Sequence, residues 1–68
     1  MISPLAYVDS AAKIGKNVTI QPFAFIEGNV EIGDDCIIMS GAKILHGTRM
    51  GKGNTVHHHA VLGAEQPH

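Results

Sequence analysis

Ile26-Glu27-Gly28-Asn29-Val30-Glu31-Ile32-Gly33-Asp34-Asp35-Cys36-Ile37-Ile38 carries the pattern that decides the fold of this 68-residue chain. Ile26, Ile32 and Ile38 stand six residues apart, and four residues after the first two come the smaller Val30 and Cys36. Outward from this stretch the large aliphatic recurs without a slip, at Ile2, Val8, Ile14 and Ile20 on one side and at Ile44, Met50, Val56 and Leu62 on the other. The second series also continues, through Ala6, Ala12, Val18 and Ala24 before it and Ala42, Thr48, Asn54 and Ala60 after it. Neither a helix nor a flat strand selects every sixth position alone, whereas a chain that turns a corner every six residues buries one large and one small side chain per flat face. Both series are expected inside.

The corners agree. The third residue after the aliphatic is Asn17, Asn29, Asp35, Gly41, Gly47 or Gly53, types that tolerate positive φ at least steric cost. Gly15, Gly33 and Gly51 each follow an aliphatic residue directly and are 18 residues apart, so three hexads make one coil and these glycines stack along one edge. Residues 1–68 therefore read as one solenoid of about three and a half coils, an all-β parallel β-helix with no linker or low-complexity segment. The chain is expected to be the truncated N-terminal part of a longer domain, because its last coil would otherwise leave an open β edge that invites pairing with other chains.

A formal net charge of −1 leaves no basic footprint for nucleic acid and no polybasic patch for a membrane surface. The repeat begins at Ile2, with no basic segment and apolar run ahead of it, so neither a signal peptide nor membrane insertion is expected, and the location expected is cytoplasmic. The single cysteine, Cys36, occupies a small inward position and is read as core filling rather than as a nucleophile.

Five histidines are the main chemical signal: His46, the run His57-His58-His59, and His68. His46, His57, His58 and His59 lie off the inward positions, where a neutral imidazole can act as general base or ligand, or simply stand in solvent. Consecutive corner residues diverge, so the run cannot close on one ion, and His46 and His58 fall on different edges. Among the charged residues, Lys13, Glu31 and Arg49 are one coil apart in turn, a stacking that would hold coils in register. Tyr7, Phe23 and Phe25 lie at corner or outward positions, and Phe23 and Phe25 are candidates for packing against a neighbouring subunit.

Particular words along the repeat are more specific: Ile2-Ser3-Pro4-Leu5-Ala6-Tyr7-Val8, Ala12-Lys13-Ile14-Gly15, Ile20-Gln21-Pro22-Phe23, Val30-Glu31-Ile32-Gly33-Asp34-Asp35-Cys36, Met50-Gly51-Lys52-Gly53-Asn54 and His59-Ala60-Val61-Leu62-Gly63-Ala64-Glu65. Together they resemble the N-terminus of the acyl-[acyl-carrier-protein]–UDP-N-acetylglucosamine O-acyltransferases of lipid A biosynthesis. The resemblance implies the left-handed hand of the hexapeptide-repeat β-helix, an exception to the right-handed crossover rule. It further implies a homotrimeric parent, UDP-GlcNAc and acyl carrier protein as partners, no cofactor, and transfer of a 3-hydroxyacyl chain to the sugar 3-hydroxyl by a histidine general base. That histidine lies in coils beyond residue 68, so no catalytic residue and no metal ligand is expected in this chain, which alone should be inactive. Where the family continues Pro-Gln-Asp in contact with the nucleotide sugar, this chain has Gln66-Pro67-His68, making Gln66 and His68 the substrate-binding candidates. Proline offers no side-chain polar atom and a neutral imidazole is no carboxylate, so the contacts cannot be copied as they stand.

Three other readings share the repeat. The UDP-3-O-acylglucosamine N-acyltransferases usually carry an extra uridine-binding domain ahead of it. The gamma-type carbonic anhydrases need spaced histidines from two subunits around zinc, and no comparable spaced pair occurs here. A few coils can also act as a structural or assembly segment without chemistry of their own.

Overall fold

The computed structural model describes residues 1–63. Ten two-residue strands run in order as β1 (Tyr7–Val8), β2 (Lys13–Ile14), β3 (Thr19–Ile20), β4 (Phe25–Ile26), β5 (Glu31–Ile32), β6 (Ile37–Ile38), β7 (Lys43–Ile44), β8 (Arg49–Met50), β9 (Thr55–Val56) and β10 (Val61–Leu62). They form three parallel sheets ordered β1-β4-β7-β10, β2-β5-β8 and β3-β6-β9, and Ile2 bridges Ile20 at the start of the third. Every partner is 18 residues away, as in Ile14↔Ile32 and Ile26↔Ile44. This is a parallel β-helix of the hexapeptide-repeat type, with three hexads per coil.

Coils are joined by backbone bonds in the strands, where Tyr7, Lys13, Phe25 and Glu31 donate N–H groups to the carbonyls of Ala24, Val30, Ala42 and Thr48 at 2.8–2.9 Å, and by bonds in the opposite direction at corners, as from Asp35 to the Lys16 carbonyl at 2.9 Å. Such strands are too short to stand alone, so stability comes from stacking each coil on its neighbours. The two inward series supply it. Ile20, Ile26, Ile32, Ile38, Ile44 and Val56 interdigitate with Val18, Ala24, Val30, Cys36 and Ala42, all buried. Cys36 is fully enclosed and free, its thiol reaching the Gly51 carbonyl at 3.2 Å.

Two inward assignments need correction. Ile2 is 47% exposed because among the described residues it is covered from one side only, by Ile20. Asn54 is also exposed, and its amide turns back to donate to the Gly51 carbonyl at 3.0 Å; a polar side chain satisfied within its own corner gains nothing from burial.

Positive φ occurs at Asn17, Asn29, Asp35, Gly41, Gly47 and Gly53 as expected, and also at Phe23, His59 and Gly63. The turn Gln21-Pro22-Phe23-Ala24 explains Phe23: Pro22 pre-sets the first central residue, the Ala24 N–H closes onto the Gln21 carbonyl at 3.4 Å, and the second central residue must then be left-handed. His57-His58-His59-Ala60 repeats this turn two coils later, closed from Ala60 to His57 at 3.2 Å. Gly15 and Gly33 serve a different need. A Cβ on Gly33 would fall 2.7 Å from the carbonyl carbon of Gly51, and one on Gly15 2.8 Å from that of Gly33, so the stacked edge exists because these backbones approach that closely.

Candidate functional site

The corner after β1, β4 and β7 brings polar and aromatic side chains together on the described surface. Tyr7, Asp9, Phe25, Glu27, Gly28 and His46 line an open groove of about 280 Å³. The Tyr7 and Phe25 rings stack at 4.9 Å with 19° between planes, as the register Tyr7↔Phe25 dictates. The Tyr7 hydroxyl donates to Asp9 Oδ2 at 3.1 Å, and Asp9 Oδ1 accepts the Ala11 N–H at 2.8 Å. That hydrogen bond, with the negative charge of Asp9, raises the Tyr7 phenol above its ordinary value of 10.0.

His46 sits at the far rim. Its backbone N–H donates to Glu27 Oε1 at 2.7 Å, and its ring Nε2 faces Asn29 Nδ2 at 3.5 Å. Arg49 fixes the direction of that second contact. Its guanidinium donates to the Asn29 carbonyl at 2.6 Å and to Asn29 Oδ1 at 3.0 Å, leaving the amide nitrogen toward the imidazole and making Nε2 the acceptor.

The histidine run stands on another edge, as its spacing from His46 requires. His58 Nδ1 donates to the Ser40 carbonyl at 3.3 Å, and Ser40 in turn donates its backbone N–H to Gln21 Oε1 at 3.1 Å. His59 packs over Gly41, and His57 is exposed at the start of the turn. Among the described residues no three His, Cys, Asp or Glu side chains converge closely enough to hold a metal ion. Gln66, His68 and the Gln66-Pro67-His68 departure lie outside the described residues.

A rule missing from the sequence reading links these corners. The side chain at the first corner position accepts the N–H of the second corner residue one coil on, 19 residues later: Gln21 from Ser40, and Glu27 from His46. Asp34, itself a second corner residue, accepts instead from the equivalent residue of the preceding coil, the Lys16 N–H 18 residues earlier, at 2.7 Å. An acceptor directly after the aliphatic was the available signal. The Lys13-Glu31-Arg49 ladder forms in the backbone register, but among the described residues the only ion pair is Arg49 Nε to Glu31 Oε2 at 3.7 Å. A second open groove, beside Lys13, Glu31 and Asp34, has mixed charge and no buried polar group aimed into it.

Comparison with known proteins accords with this architecture. The profile of the family described as "Bacterial transferase hexapeptide (six repeats)" matches residues 11–44 and 29–64. The acyl-[acyl-carrier-protein]–UDP-N-acetylglucosamine O-acyltransferases of Brucella ovis and Brucella canis are each 36% identical to this chain over 94% of its length. The chain spans 23% of the length of those relatives. No solved structure matches it. Six-residue periodicity, three parallel sheets in an 18-residue register and the profile match agree, and the chain belongs to the bacterial transferase hexapeptide family.

Proposed function

We propose that this chain is the N-terminal segment of an acyltransferase that moves a 3-hydroxyacyl group from acyl carrier protein to the 3-hydroxyl of UDP-GlcNAc in lipid A biosynthesis. The observation that carries this reading is the similarity to the O-acyltransferases along almost the whole chain, in a repeat that keeps register from Ile2 to Leu62. The parent is read as a cytoplasmic homotrimer, with the acyl groove between subunits and the general base in later coils. The rigid stacked sheets suit that role, since a base gains most when the scaffold fixes it within hydrogen-bond reach of the sugar oxygen.

For the described residues the supporting chemistry is structural. Asp9, Gln21, Glu27 and Asp34 each accept a backbone N–H, and those bonds fasten one corner or one coil to the next. The segment therefore contributes coils and surface rather than the reacting groups. Acyl transfer from 3-hydroxyacyl carrier protein to UDP-GlcNAc should appear in a chain extended through the complete solenoid and not in the 68-residue chain. Failure of the extended chain, with zinc binding and hydration of carbon dioxide instead, would overturn the reading in favour of a carbonic anhydrase.

A further inference from the structure

The corner after β3, β6 and β9 carries side chains that the acyl-transfer reading does not use. Gln21, Met39 and His57 each directly follow their strand and stand in register, 18 residues apart. Gln21 serves this corner by accepting the Ser40 N–H, as Glu27 does for His46 on another edge. Met39 occupies the same first corner position 19 residues before His58, so the offset that joins Gln21 to Ser40 and Glu27 to His46 directs its thioether toward His58. Thioether sulfur is a weak acceptor, and a half-buried methionine there adds little to the hydrogen bonding of the corner. It is, however, a soft metal ligand.

His58 meets it from the next coil. Its Nδ1 donates to the Ser40 carbonyl at 3.3 Å, and since a carbonyl only accepts, that bond fixes the tautomer and leaves the lone pair of the neutral ring on Nε2. Ser40 is the chain neighbour of Met39 and is itself tied to Gln21 Oε1 through its N–H at 3.1 Å. An imidazole whose other nitrogen donates to a backbone carbonyl is the arrangement typical of metal-bound histidines, where it sets the orientation of the ring. No three His, Cys, Asp or Glu side chains converge on an ion among the described residues, but a soft monovalent ion needs fewer ligands and accepts thioether sulfur.

We propose that Met39 Sδ and His58 Nε2 form a site for a cuprous ion that bridges consecutive coils. Imidazole nitrogen suits copper, and the thioether favours the soft cuprous ion over magnesium and calcium, which take oxygen ligands, and over zinc, which is held by at least three protein ligands. Only one histidine of the run takes part, in keeping with the divergence of consecutive corner side chains: the His59 ring fills the space over Gly41, and His57 is exposed at the start of the turn. The two ligands come together only when the coils stack, so binding is coupled to folding. The site is independent of the acyl-transfer reading.

Titration of the 68-residue chain under reducing conditions with cuprous ion, supplied as its acetonitrile complex in competition with bicinchoninate, tests it, with far-UV circular dichroism as the folding control. One ion should bind per chain and raise the melting temperature. Met39→Leu, which nearly keeps the side-chain volume, and His58→Gln, which keeps a donor for the Ser40 carbonyl, should each weaken binding about tenfold or more and shrink that rise. His57→Asn should change neither, and Cys36→Ala should leave binding intact because that thiol is enclosed in the core. The copper X-ray absorption spectrum should show a sulfur neighbour in the unaltered chain and none in Met39→Leu. Absence of binding overturns the inference. Binding that survives Met39→Leu also overturns it, assigning the ion to the histidine run alone and leaving Met39 as a filler of half-buried space.

Discussion

The imidazole of His59 occupies the space into which any side chain on Gly41 would grow. A Cβ built on Gly41 falls 2.7 Å from His59 Nδ1, and both residues are left-handed, at φ 77° and 62°. Gly41 is therefore required twice, by its own backbone and by the ring stacked on it from the next coil. Gly41→Ala should cost about 1–3 kcal/mol from the left-handed conformation alone, with displacement of the ring added. In chemical denaturation, Gly41→Ala combined with His59→Gly should be less damaging than the sum of the two single changes, because the pair shares one clash.

Gly33 and Gly47 should distinguish two uses of glycine. Gly47 has φ 89° and open space around a built Cβ, so Gly47→Ala should cost only the conformational component, about 1–3 kcal/mol. Gly33 has no positive φ, yet its Cβ would meet the backbone of Gly51 and Lys52 at 2.7 Å. Backbone cannot rotate aside as a side chain can, so Gly33→Ala must push neighbouring coils away from each other. Its loss in melting temperature should be the larger, and equal losses would show that the stacked edge is looser than it stands.

The same contrast explains what could be read without coordinates. The large and small inward series needed only period six, and the alignment of Ile20, Ile26 and Ile38 in the core followed from it. Asn17, Asn29 and Gly41 declared their corners because few residue types accept positive φ. Phe23 and His59 did not, since a bulky left-handed residue is visible only through the turn that forces it. The groove was hidden for a related reason: Tyr7, Asp9, Glu27 and His46 meet because they are one coil apart in register, and no local pattern marks them as a set. The Asn54 error arose where a corner hydrogen bond replaces burial, which residue size does not reveal.

Arg49 holds two coils together chiefly through Asn29. Its guanidinium makes hydrogen bonds of 2.6 and 3.0 Å to that residue, whereas the ion pair to Glu31 is 3.7 Å long and about half exposed on both sides. Exposed pairs contribute about 0.2–1 kcal/mol, and hydrogen bonds from a charged donor about 1.5–3 before solvent competition reduces them. Glu31→Gln should thus change stability by less than about 0.5 kcal/mol, while Arg49→Met should cost about 1–2 kcal/mol and stay nearly independent of salt. A loss from Glu31→Gln as large as that from Arg49→Met would reverse the assignment.

Tyr7 offers a direct reading of the groove's electrostatics, because it is the only tyrosine in the chain. Its hydroxyl donates to Asp9, and that bond, more than the further negative charge of Glu27, raises the phenol above 10.0. A phenol with a raised folded pKa binds its proton more tightly folded than unfolded, so its contribution to stability is complete below 10.0 and is lost as pH rises through the folded value. Absorbance titration of the phenolate should give a midpoint above 10.0 in the folded chain and a return toward 10.0 in Asp9→Asn, since a neutral amide no longer opposes a second negative charge. Glu27→Gln should move the midpoint in the same direction by a smaller amount. A midpoint unmoved by Asp9→Asn would mean that the hydroxyl points to solvent, and the acidic groove would lose its aromatic hydrogen-bonded wall.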